Sequence, residues 1–248
     1  MEVGIVDGIT IRIPGADVEE IARLLPLTGD VPQTDGVLLT GGEAVASNNV
    51  LLGVTALTSS YDDLFIPRPV VEMILAAYDG DGVAVQRTGD ACSIVGEDGA
   101  KLGGWVTHIK YSDWRKALVH SAEHSVTLDG SILASKLGWL GSVNGYGPCI
   151  DLSVDAGLVT LTRPRDDDKI IRADMCSIRH TGTPPQVRLD MRYLLAGLLY
   201  LGLPTTLTIE ITGEKSQVQM VNGTRRFVLM PIDPSNARQN CECADGWT

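Results

Sequence analysis

Basic residues are in short supply in this sequence: 20 Lys and Arg stand against 31 Asp and Glu, a net charge of −11 over 248 residues. That balance excludes a protein that coats nucleic acid with its whole surface, and it confines any DNA contact to a local basic face. No run approaches the ~20 consecutive apolar residues of a membrane span. The opening octet MEVGIVDG lacks the charged and apolar blocks of a secretion signal. A cytoplasmic protein without a membrane partner is therefore expected. The chain has no phosphate-binding glycine loop, no nucleophile elbow and no coherent catalytic dyad, so neither enzymatic activity nor a cofactor is expected. Its five cysteines are odd in number and mostly sit in strand-like segments, which favours reduced thiols over a disulfide framework.

What is present reads as globular: 44% of residues are apolar and 21% charged. The most legible stretch runs from Arg188 to Ile232. An extended lead-in feeds a helix over about residues 190–201, stopped by Gly202 and Pro204. Leu207, Ile209 and Ile211 then share one face of a strand, Thr212-Gly213-Glu214 turns it back, and Val218 and Met220 continue it. Asn222-Gly223 is a strong hairpin signal before the closing strand, residues 227–232. The same pair of residues begins an Asn-Gly-Thr glycosylation sequon, but the hairpin accounts for it. The plan occurs once more upstream. Phe65-Ile66-Pro67-Arg68-Pro69 leads into a helix over about 69–78, followed by strands at 83–88, 92–96 and 102–107. Thr88-Gly89-Asp90 stands at the turn that corresponds to Thr212-Gly213-Glu214, an offset of 124 residues, or half the chain. An internal duplication explains the helix and the strand lengths as well as the turn.

The remaining segments fit two such domains. Residues 1–14 alternate as a strand pair around Asp7-Gly8. Gly15-Ala16-Asp17 opens a helix with Val18, Ile21, Leu24 and Leu25 on its apolar stripe and Asp17, Glu19, Glu20 and Arg23 opposite. Three short strands are expected at 37–39, 45–47 and 51–57, separated by Gly41-Gly42 and Asn48-Asn49. In the second half Asp129 is the expected N-cap of a helix to about Leu140, with Ile132, Leu133, Leu137 and Leu140 inward. Strands at 149–154, 158–162 and 169–175 follow, and residues 181–185 link onward. Domains are thus expected at 1–118 and 126–232, with a linker at 119–125 and a flexible tail at 233–248.

Two local motifs carry a resemblance to a known family. Met191-Arg192-Tyr193-Leu194-Leu195 and Val228-Leu229-Met230-Pro231-Ile232 resemble the tyrosine-led helix and Met-Pro-terminated last strand of bacterial DNA polymerase sliding clamps, the replicase beta subunits. Tyr111-Ser112-Asp113-Trp114 stands where that family has a Phe-Pro-Asp-Tyr-like exit motif, without its proline. The resemblance covers residues 1–232, is closest to the second and third domains of the three-domain bacterial protein, and suggests a two-domain version such as a bacteriophage carries. It implies an α+β DNA-clamp fold, each domain a duplicated β-α-β-β-β unit with two helices on one side of antiparallel sheets. It further implies a ring-forming homo-oligomer, a trimer for two domains per chain, that encircles duplex DNA without reading its sequence. The ring would bind a polymerase and a clamp loader through short linear peptides. DNA-facing residues would be Arg23, Arg68, Lys136 and Arg192, and the peptide pocket would be Val119, Val228, Leu229, Met230, Pro231 and Ile232. Glu19 and Glu20 depart from the basic character such a helix should have. They motivate a second reading, a clamp-fold adaptor that binds proteins without encircling DNA.

Other motifs have plainer readings. His120-Ser121-Ala122-Glu123-His124 has the H-x-x-E-H form of inverted zinc peptidases, which needs both histidines on one helix face. Here the segment lies between two strand-like stretches. Cys241-x-Cys243 fits idle thiols in a tail, and Asp166-Asp167-Asp168 fits a solvated turn; no metal is expected.

Overall fold

The computed structural model describes residues 9–31, 34–88, 91–95, 101–105, 113–119, 121–144, 147–164, 170–213 and 216–232. The expected strand before Ile9, the turn at Gly89-Asp90, the acidic turn at 166–168 and the tail at 233–248 lie outside these residues. The chain divides into two compact units, Met1–Asp113 and Trp114–Thr248, where the sequence draws the division at 118/119. Residues 114–117 form a 3-10 turn with Trp114 and Leu118 buried, and Gln219 holds the backbone of Val119, which ties the stretch to the second unit.

In unit one, β1 (Ile9–Pro14) runs straight into α1 (Gly15–Leu24). Next come the long strands β2 (Gly36–Ser47) and β3 (Leu51–Pro67), and then α2 (Arg68–Ala77), β4 (Gly82–Thr88), β5 (Ala91–Val95) and β6 (Lys101–Trp105). β1 pairs antiparallel with β4, the strand leaving the other helix, in the sheet order β1-β4-β5-β6. The end of β3, which leads into α2, pairs with the start of β2. Each helix lead-in is therefore zipped to the strand that leaves its partner helix, and the two halves interlock. Gly41 and Gly42 do not end a strand. They sit where the β2–β3 register shifts, a bulge that bends one continuous ribbon. β3 likewise runs unbroken to Pro67, so the three short strands of the sequence reading are two long ones.

Unit two follows the same plan. β7 (His124–Leu128) precedes α3 (Gly130–Ser142), β8 (Cys149–Asp155), β9 (Leu158–Pro164), β10 (Ile170–Cys176) and β11 (Arg179–Thr181). β12 (Val187–Asp190) leads into α4 (Met191–Tyr200), followed by β13 (Leu207–Ile211), β14 (Val218–Asn222) and β15 (Arg225–Leu229). Within this unit the strands order as β10-β9-β8-β12 and as β11-β7-β13-β14-β15. The short β11, of which only Thr181 falls in the stretch read as a connector, pairs with β7.

Helix ends obey local chemistry. The Asp129 carboxylate accepts from the N–H groups of Ser131 and Ile132 at 2.8 and 3.1 Å, the N-cap that the sequence indicates. At the other end of α3, buried Arg163 donates to the carbonyls of Gly147 (2.7 Å), Val143 (3.1 Å) and Leu140, which completes a C-terminus whose last C=O groups have no helical partner. Gly223, at φ 59°, supplies the left-handed turn between β14 and β15.

Cores are mainly aliphatic, with Phe227 as the largest fully buried side chain: Val18, Ile21, Leu24, Ile74 and Leu39 in unit one, and Leu133, Leu137, Leu194, Leu198 and Phe227 in unit two, are almost completely excluded from water. Phe227 packs against Gly197 so closely that a Cβ there would collide with the ring and fall 2.7 Å from Met220 Cε. Three expectations are corrected. Ile132 faces outward, 47% exposed, one step off the Leu133–Leu137–Leu140 stripe. Asp17 is buried and not on the solvent face of α1. Cys149 is disulfide-bonded where a reduced thiol was expected, while Cys176 is free and exposed.

Candidate functional site

Asp17 shows why α1 sits where it does. Both the N–H and the hydroxyl of Thr58 donate to its Oδ1 at 2.7 Å, while the Ser59 N–H (3.2 Å) and the Tyr61 hydroxyl (2.7 Å) donate to its Oδ2. Four donors from β3 thus converge on one helix carboxylate. Burial works to raise its pKa, but the bonds from Tyr61, Thr58 and Ser59 outweigh burial and hold it below the usual carboxylate range. Burial, then the charge and bond of Asp17, push the Tyr61 phenol upward. Glu20, also from α1, accepts from the Thr55 hydroxyl at 2.8 Å. Two of the acidic residues on α1 are therefore anchors to β3, and Glu19 is the acid left exposed.

The four candidate DNA-facing residues differ sharply in what they touch. Arg23, in the last turn of α1, keeps a side chain 45% exposed and a loose 3.7 Å pairing with Glu20. Arg68, the first residue of α2, is committed elsewhere. Its Nε donates to Asp35 at 2.8 Å, and its Nη2 reaches both the hydroxyl and, at 3.3 Å, the carbonyl of Thr28. Arg192 forms a two-pronged pair with Asp190 at 3.1 and 2.7 Å while Asp190 caps α4 through the Arg192 N–H. That carboxylate bond is the largest cause of its raised pKa. Lys136 lies on α3 beside Ser135 and Trp139, facing Arg172 and Asp174 of β10 across a cleft of about 400 Å³. The bond from Arg172 is the main reason that Asp174 is held below the carboxylate range; burial opposes it, and the charge of Lys136 adds to it.

The six candidate pocket residues fall into two groups. Val228 and Leu229 are buried in β15, while Met230 is 42% exposed and Pro231 and Ile232 are half-buried. Val119 joins them through Gln219. The Val119 N–H donates to Gln219 Oε1 at 3.2 Å, and its carbonyl accepts from Gln219 Nε2 at 3.3 Å. Gln219 is itself the β14 partner of Val228 in the strand register, and Nε2 is further fixed on Glu210 at 2.6 Å. Ile232 closes the segment by donating its N–H to the Arg188 carbonyl at 2.8 Å. A buried amide thus fastens residue 119 beside a strand 100 positions away.

Sequence reasoning missed Trp139, Arg172 and Gln219. Trp139 was findable, because it follows Ile132 by seven residues and lies off the α3 core stripe. Among the described residues, no group of three or more His, Cys, Asp or Glu side chains is arranged to hold a metal. His120 lies outside them, and His124 begins strand β7, which does not offer the helical i,i+4 face that the zinc motif requires. No helix of the described residues is long and apolar enough to cross a membrane.

No protein-family profile and no curated protein matches this sequence. Solved structures do match. The DNA polymerase sliding clamp from Caulobacter crescentus aligns over 94% of this chain and 67% of its own, with a TM-score of 0.75 and 17% identity. The sliding clamp (DNA polymerase III subunit beta) from Pseudomonas aeruginosa bound to griselimycin aligns over 94% and 68%, at 0.79 and 16%. The DNA polymerase III beta subunit from Thermotoga maritima does so over 94% and 68%, at 0.79 and 12%. With interlocked β-α-β repeats, paired helices in each unit and this similarity along nearly the whole chain, the protein has the fold of the DNA polymerase sliding clamp.

Proposed function

We propose that the chain is a subunit of a DNA sliding clamp, a non-enzymatic processivity factor. Three copies, each with two clamp domains, close head to tail around duplex DNA. The ring tethers a DNA polymerase and is handled by a loader, both docking through short linear peptides, in the cytoplasm of a bacterial or phage-infected cell. The fold, shared over 94% of the chain, carries this reading. Loose and sequence-blind phosphate contact suits such a ring, because a clamp must slide. Arg23 and Lys136 are the cations best placed to make it, while Arg68 and Arg192 must share their guanidinium groups with Asp35 and Asp190.

For the peptide, Val119, Met230, Pro231 and Ile232 form the accessible surface, and Val228 and Leu229 pack beneath it. Primer extension by a partner polymerase tests the proposal. Addition of the chain and loader should lengthen the products made in one binding event, and Met230→Ala should undo much of that gain. Products of unchanged length with every partner polymerase would count against it.

The neutralised Arg68 and Arg192 favour a second reading, an adaptor of the same fold that gathers proteins without encircling DNA. It predicts peptide binding with no retention on closed circular DNA.

A further inference from the structure

Cys149 is disulfide-bonded in a chain whose proposed place is the cytoplasm, where thiols are kept reduced. Disulfides found in that compartment serve redox sensing more often than structure. The sequence holds five cysteines: Cys92, Cys149, Cys176, Cys241 and Cys243. Cys176 is free and exposed. The partner is therefore Cys92, in unit one, or one thiol of Cys241-Glu242-Cys243 in the tail.

The surroundings of Cys149 favour the tail. Cys149 opens β8 and stands opposite Asp190 of β12. β12 is fixed there by two bonds from Arg188 to Asp151, at 2.6 and 2.8 Å, and by the Met191 N–H on the Pro148 carbonyl at 2.9 Å. Among the described residues the other edge of β12 carries no strand, and the chain leaving β15 comes to that edge: the Ile232 N–H donates to the Arg188 carbonyl at 2.8 Å. Arg188 is two residues from Asp190, so strand spacings put Ile232 about 12 Å from Cys149. Cys241 follows Ile232 by nine residues, and a segment of that length reaches about 30 Å. A short segment anchored so near presents its thiols at high effective concentration. Cys92 belongs to the other compact unit.

We propose that Cys149 is bonded to a thiol of the Cys241–Cys243 pair, so that the tail is strapped over β12 and let go by reduction. In closing, the two thiols give up two protons and two electrons to a small disulfide such as oxidised glutathione, which leaves as two thiols; a dithiol returns the electron pair and opens the strap. The consequence for docking rests on the peptide reading above. Met230, Pro231 and Ile232 are the accessible wall of that surface and also the root of the strap. Oxidation fixes this wall, and reduction loosens it.

Tryptic peptide mapping tests the bond. The full chain is equilibrated with oxidised glutathione, its free thiols are blocked with iodoacetamide, and it is digested without reductant. Peptide 137–165, which carries Cys149, should be joined to peptide 239–248, and dithiothreitol should part them. Peptide 137–165 joined to 88–101, which carries Cys92, or joined to nothing, overturns the strap. Hydrogen exchange on the undigested protein tests the switch. The Ile232 amide should exchange at least about tenfold faster after dithiothreitol. In the double variant Cys241→Ser, Cys243→Ser it should exchange at the fast rate in both conditions, and in Cys92→Ser it should behave as in wild type. A bond to the tail with Ile232 exchange indifferent to reduction overturns the switch and leaves the docking reading standing, since that reading is tested separately by Met230→Ala in primer extension.

Discussion

Asp17 is the residue on which the placement of α1 depends. It receives four hydrogen bonds and has no counter-cation among the groups that bond it, so the carboxylate is stabilised by donors alone. Asp17→Asn keeps the volume but turns an amide NH₂ toward groups that already donate, and a loss of about 3 kcal/mol is expected. The pH dependence has a definite sign. A carboxyl held below its ordinary value in the folded state contributes stability above about pH 4 and loses it as pH falls through the folded pKa. Tyr61, raised in the folded state, contributes below about pH 10 and loses its share as pH rises further. Urea unfolding should therefore show the gap between wild type and Asp17→Asn as widest near neutrality and narrowing below about pH 4; a gap that stays constant into acid would contradict this. At Arg192 the issue is access, not stability. Asp190→Asn retains a good N-cap but frees the guanidinium. Direct binding to short duplex DNA at low salt should strengthen, and its salt slope should steepen by about one unit. Arg192→Ala should have the opposite effect. If neither change moves the salt dependence, Arg192 does not face DNA.

Elements with strong local signals were legible from sequence, and those built by distant pairing were not. The four helices begin and end close to the expected residues because Asp129, Gly202 and the prolines around Arg68 act on their immediate neighbours. Asn222-Gly223 fixed its hairpin for the same reason. Periodicity placed Asp17 on the outer face of α1, since nothing in the helix announces donors some forty residues ahead on β3. Gly41-Gly42 read as a break because a bulge and a strand end share the same residue type. The four basic candidates were visible as charges, but their carboxylate partners were not. Val119 is an expected pocket residue, yet the Gln219 amide that holds its backbone is a tertiary fact. At this scale Gly197 is the sharpest packing test. Gly197→Ala inserts a methyl group into the Phe227 ring and should cost about 1–3 kcal/mol despite the better helix propensity of alanine. Adding Phe227→Leu should recover part of that loss, and thermal melts of the single and double variants check it. A stabilised Gly197→Ala would mean that α4 and β15 are less closely packed than described here.

For the whole molecule, the proposed ring is what gives the acidic balance a place in a mechanism. A chain of net charge −11 that holds DNA by surrounding it needs little direct affinity, and what direct affinity it has should vanish as salt displaces the few phosphate contacts. Topological retention carries no such salt dependence. The measurement that separates the two is retention on a nicked circle. Loaded there by its loader, the protein should stay bound in salt that abolishes its binding to short linear duplex, and cutting the circle once should release it through the free ends. Retention that survives linearisation unchanged, or that fails on the intact circle at the salt where direct binding fails, would contradict the ring.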